Sequence, residues 1–154
     1  MALPDLKKTA TDTRLNGMEL PVGGCLADAR RAALSRVQTM GLPNRRDEYW
    51  KYTRPDTLTQ DTAPTAAVFK HDEAPIFGEF DCLKIVFVDG VFDAEASDDF
   101  ELEGVQISRL SEIDSQDIHW TKDLYGVLEA RGQDPVQRPL AALNTAFAND
   151  GVAI

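Results

Sequence analysis

The sequence predicts an α+β fold: a mostly helical N-terminal domain with one β-hairpin, leading into the first strand of a further β core. Three observations carry this. Apolar residues recur at steps of three and four from Leu26 to Met40, the period of one helix face. "KIVFVDGVF" folds back on an Asp-Gly pair. "PLAALNTAFANDGVAI" reads as a helix, a turn and an opening strand.

Residues 1–24 hold few apolar anchors and read as a flexible arm with a short helix over Leu6 to Leu15. Residues 25–138 form the predicted helical domain, with its hairpin at 83–92. Its first helix places Leu26, Ala29, Ala33, Val37 and Met40 on one face, and Arg30, Arg31, Arg36 and Gln38 on the remainder. Gly41 and Pro43 mark its end. Arg45 to Tyr52 reads as a further short helical turn with Asn44 before it. Residues 54–81 are rich in Thr, Pro, Asp and Ala and form a long connection.

Leu83 to Val88 is the clearest strand. Asp89-Gly90 suits a type I′ loop, which pairs Val88 with Val91 and Phe87 with Phe92. "GVQISRL" reads as a short strand. A helix is predicted from about Asp117, with Ile118, Thr121, Tyr125 and Leu128 inward, Leu124 beside them, and Gly132 at its end. Residues 139–154 form the last helix, with Pro139 in its first turn and Leu140, Leu143 and Phe147 inward. A strand then opens at Val152. That pattern predicts a chain that continues, with the strand pairing to the 83–92 hairpin or to another molecule.

The chain of 154 residues carries a formal net charge of -10. Residues 1–70 hold 11 basic and 8 acidic groups, a balance of +3; residues 71–154 hold 5 and 18, a balance of -13. Such an acidic half repels phosphate backbones and argues against nucleic-acid binding. No apolar run is long enough to span a bilayer and no secretory h-region follows "MALPDLKKTA", so no membrane role and a cytoplasmic location are expected. Cys25 and Cys82 share no spacing motif and are expected to be reduced, mostly buried thiols.

No residue qualifies as catalytic, cofactor-binding or metal-ligating. "GLPNRRDEYWKYT", Gly41 to Thr53, mixes cations with Tyr49, Trp50 and Tyr52. Acids among the cations weaken a nucleic-acid reading. Adjacent rings that diverge weaken a cation cage. A packed corner with Trp50 as its buried anchor is the reading preferred, with Glu48 paired to Lys51 or Arg45. The run Asp93 to Glu103 fails the calcium-loop pattern, since Asp98 stands at position six and Gly104 at position twelve. His71 reads as an exposed loop residue and His119 as a capping or packing residue.

The same "GLPNRRDEYWKYT" segment resembles a motif of the SufB/SufD family, closer to its SufD branch than to SufB. "KIVFVDGVF" (84–92) and "PLAALNTAFANDGVAI" (139–154) follow in the family's order. The resemblance implies a non-catalytic component of the SUF iron–sulfur cluster assembly complex, so no enzyme activity. It implies a β-helix core after the helical domain, with this chain as its N-terminal part. It implies a SufB-like paralogue and a SufC-like ATPase as partners, bound through sequence beyond this chain. The iron–sulfur cluster belongs to the full complex, no cofactor is carried by these residues, and the open strand edge offers self-association. The rival readings are a stand-alone interaction module whose +3 arm meets an acidic partner, and a metal-dependent enzyme domain built on the acidic region.

Overall fold

The computed structural model describes residues 3–62, 78–116, 119–134 and 136–154. Among these are five α-helices and two two-stranded sheets, an α+β composition as expected. The chain divides into two compact units. One takes in Met1–Pro64 and Ile113–Ala148, the other Thr65–Glu112 and Asn149–Ile154.

The first unit is helical. α1 (Asp5–Asn16) lies in the stretch read as an arm, α2 is Ala27–Met40, α4 is Val127–Arg131 and α5 is Pro139–Phe147. Its core follows the predicted stripe. Val37, Met40 and Leu42 pack on Ala142 and Leu143, with Leu15, Met18, Leu140 and Phe147 closing around them. Small residues at Ala33, Ala142 and Ala146, all fully buried, leave room for close helix approach. α1 is held to this core by Thr11, whose buried hydroxyl donates to the Lys7 carbonyl and accepts from the Leu42 N–H at 2.9 Å.

The corner after α2 is packed differently from the expectation. Leu42 is its anchor, 3% exposed. Trp50 is half-buried, while Tyr49 and Tyr52 are 69% and 92% exposed. A three-residue 3₁₀ turn, Glu48–Trp50, replaces the longer helical stretch. The cause is local. Asn44 Oδ1 accepts the Arg46 N–H at 2.8 Å, and Asp47 Oδ2 accepts the Asn44 N–H at 3.0 Å, so side chains hold the backbone in turns. Asp47 also pairs with Lys7 at 2.9 Å. Neither expected pair of Glu48 forms among the described residues.

The helix expected over 117–132 is broken. A 3₁₀ turn, Trp120–Asp123, precedes α4, and Gly126 between them has φ 74°, which a continuing right-handed helix forbids. Thr121 is buried and Tyr125 half-buried, but Leu128 is 82% exposed, against the predicted inner face. Asp117, Ile118 and His71 lie outside the described residues.

In the second unit β1 (Phe87–Val88) and β2 (Val91–Phe92) pair in the predicted register. Asp89 and Gly90 both take positive φ, 52° and 78°, as a type I′ loop demands. The ladder is shorter than predicted because the acidic run folds back on it. Ser97 Oγ accepts the Val86 N–H and Asp98 Oδ2 accepts the Lys84 N–H at 2.7 Å. β3 (Ser108–Arg109) pairs antiparallel with β4 (Val152–Ala153), and α3 (Leu110–Asp114) begins directly after β3. The expected partner of the last strand, the 83–92 hairpin, is therefore replaced by β3.

Leu42→Ala is expected to lower unfolding stability by about 2–5 kcal/mol, the range for a buried leucine. Trp50→Ala is expected to fall short of the roughly 3–5 kcal/mol typical of a buried tryptophan. Urea denaturation midpoints of the two variants check the order.

Candidate functional site

The charged side chains divide into those that serve the fold and those left on the surface. Arg30 is the largest fully buried side chain among the described residues, 1% exposed. Its guanidinium is paired with Asp114 and donates to the Ala148 carbonyl at 3.1 Å. The Tyr125 ring lies 5.9 Å from its centre. Asp114 in turn accepts the Leu26 N–H at 3.2 Å. A buried charge demands this many partners, because its desolvation costs several kcal/mol. Arg36 and Glu129 form a second pair, with the Arg36 Nε at 3.2 Å from Glu129 Oε1. Tyr125 donates its hydroxyl to the Thr145 carbonyl at 2.6 Å. Burial of the phenol raises its pKa, opposed by its hydrogen bond with Arg30 and the charge on that residue.

In the second unit Asp150 is the organising carboxylate. It is paired with Arg109, whose Nε lies 3.1 Å from Asp150 Oδ2. Its other oxygen accepts from the Ser111 N–H and hydroxyl and from the Gly151 N–H. Burial pushes this carboxyl up, but the hydrogen bonds from Arg109, Gly151 and Ser111 together outweigh it and hold the pKa below the ordinary value. The Arg109 guanidinium also lies 4.4 Å from the centre of the Phe92 ring, which stacks edge-on with Phe87 and Phe100.

The acidic run binds backbone. Asp93 Oδ1 accepts the N–H groups of Glu95 and Ala96, and Asp98 accepts that of Lys84. No group of three metal-ligating side chains occurs among the described residues. His119 Nδ1 accepts the Thr121 N–H at 3.2 Å, the capping role expected of it. Cys25 is half-buried with its thiol 3.4 Å from the Ile113 carbonyl, whereas Cys82 is exposed, contrary to the buried thiol expected there.

One open groove, about 1010 Å³, runs beside α1 and the corner that follows α2. Leu3, Leu6 and Pro43 supply apolar walls, and Arg45, Arg46 and Asp47 line the same space. This is the candidate functional surface. Sequence reasoning found its cations and rings but placed Trp50 inside. It placed Arg30 on the outer face of the helix, whereas Arg30 is buried, and Leu26, Arg30, Ala33, Val37 and Met40 keep alternating steps of four and three.

These features define a class: a small α+β domain whose buried ions fasten chain segments and whose open groove faces solvent. The chain matches the family described as the SufBD protein N-terminal region over residues 16–154, and it belongs to that family. The match spans the Gly41–Thr53 corner, the hairpin and the last helix. SufB/SufD proteins take part in SUF iron–sulfur cluster assembly and work in complexes with SufC-type partners. No curated protein and no solved structure matches the chain.

Arg30→Ala leaves the Asp114 carboxylate without its partner and is expected to cost about 3–5 kcal/mol, as does breaking other buried pairs. Equilibrium unfolding checks it. Asp150 has a lowered native pKa, so its contribution is present above the unfolded value of about 3.9 and is lost as pH falls through the native one. Asp150→Asn is therefore expected to flatten the acid limb of the stability–pH curve, measured by unfolding at a series of acidic pH values.

Proposed function

We propose that this chain is the N-terminal part of a SufD-type protein, a non-catalytic component of the SufB–SufC–SufD complex in the cytoplasm. The observation that carries this reading is the Gly41–Thr53 segment, followed in order by the 84–92 hairpin and the 139–154 segment. The first of these resembles SufD more closely than SufB. In this reading β4 leads into a β-helix core, and the contacts with SufB and SufC belong to sequence beyond Ile154. The cluster is built on the assembled complex, and these residues hold no iron or sulfur themselves. No helix among the described residues is long and apolar enough to cross a membrane.

Co-expression tests the assignment. The tagged gene product and the tagged 154-residue chain are each produced with SufB and SufC of the same genome. The gene product is expected to retain both, and the short chain neither, with no stoichiometric iron in the purified short chain. Retention of SufC with a second copy of the gene product, in the absence of SufB-like protein, would instead mark a SufB-type chain.

A further inference from the structure

The surface between Asn44 and Arg54 is basic and aromatic on a chain that is acidic. Arg45, Arg46, Lys51 and Arg54 are all exposed, and none makes an ion pair among the described residues. The stretch has two acids. Asp47 is neutralised by Lys7, which leaves Glu48 against four cations. Tyr49 and Tyr52 stand in solvent, with the Lys51 ammonium 5.5 Å from the Tyr52 ring centre. The fold gives these rings no interior role, since Leu42 anchors the corner. Arg45 and Arg46 also line the groove, beside the apolar walls of Leu3, Leu6 and Pro43, and its remaining charges, Lys7 against Asp5, Asp47 and Asp56, leave the groove itself near neutral, suited to apolar side chains.

We propose that this surface docks an acidic segment of a partner protein. Its carboxylates would lie on Arg45, Arg46, Lys51 and Arg54, and its apolar side chains in the groove. Arginine and tyrosine are the residue types enriched where binding energy concentrates. Arginine forks match carboxylates in paired hydrogen bonds. Four exposed cations, Arg45, Arg46, Lys51 and Arg54, outnumber the exposed Glu48 and Asp56 beside them, so on a chain of -10 the patch selects by sign: it attracts an acidic segment that the rest of the surface repels. The same -10 works against a nucleic acid, whose long phosphate backbone meets the acidic surface beyond the patch. The inference rests on the surface alone and does not depend on the SufD assignment.

Fluorescence anisotropy with a labelled peptide of alternating glutamate and leucine tests it, using the full chain. Saturable binding that weakens as salt rises is expected, with no binding of the peptide in which lysine replaces glutamate. Arg45→Glu combined with Arg46→Glu is expected to weaken binding about tenfold or more, and so is Tyr49→Ala combined with Tyr52→Ala. All four side chains are exposed, and an unchanged urea midpoint confirms that the variants fold. The proposal is overturned by an absence of peptide binding, or by equal binding to the charge-reversed chain. Tighter binding of a single-stranded oligonucleotide would assign the patch to nucleic acid instead. Self-association lost on charge reversal, seen by sedimentation without peptide, would assign it to a second copy.

Discussion

A buried guanidinium needs several partners, and Arg30 draws those of its two terminal nitrogens from segments far apart in sequence, while its Nε has none. Asp114 lies 84 positions away and Ala148 lies 118 positions away. The first unit is discontinuous: the chain leaves after Pro64 and returns at Ile113. Apolar contact alone would allow the returning segment to slide along α2, because burial is nearly indifferent to register. A directional bond from Arg30 to Asp114, and from the Leu26 N–H to Asp114, admits one register. Arg36 and Glu129 repeat the device about one and two-thirds turns further along the helix. The core of Val37, Met40, Ala142 and Leu143 supplies the burial, and the two ion pairs decide where it is made.

The second unit solves the same problem with less apolar material. Its strands are two residues long, too short to be stable as isolated hairpins. Asp150 compensates by accepting from Arg109, Ser111 and Gly151, which fixes the β3–β4 pairing at its end. Arg109 extends that network to Phe92 and through it to the aromatic cluster of the hairpin. The acidic run belongs to this economy. Asp93 Oδ1 and Asp98 Oδ2 accept backbone N–H groups, which helps hold a stretch so rich in carboxylates as a folded loop.

Much of this was legible in the residues. The α2 stripe, the Asp89-Gly90 loop with its register, and the Pro139 helix start each rest on interactions between near neighbours, which short-range patterns record. Arg30 was misread because periodicity reports a face and hydropathy reports a preference, and here the two conflict. Its partner is remote, so nothing local marks it as a buried ion. Trp50 is the opposite case: its size suggests burial, but Leu42 fills the corner. The β3–β4 pairing joins positions more than forty apart, Ser108 and Ala153, and no turn signal could announce it. The candidate surface was visible as composition only. Its exposure depends on the Asn44 and Asp47 side chains holding the turn, and that is a matter of geometry.

The Gly41–Thr53 segment is therefore two things in one stretch. Gly41 ends α2 with its N–H on the Val37 carbonyl, Leu42 enters the core, Asn44 and Asp47 set the turns, and Lys7 locks Asp47. Those residues are explained by folding. Arg45, Arg46, Tyr49, Lys51 and Tyr52 are not: each points into water, and removing any of them would leave the packing just described intact. Exposed tyrosines gain nothing from the hydrophobic effect while they remain solvated, and unpaired cations clustered together repel one another. A segment that spends half its residues on turns held by side chains and carries the other half exposed is arranged to present a recognition surface. Turns set before a partner arrives lower the ordering cost of association, which is where a partner's affinity is otherwise lost.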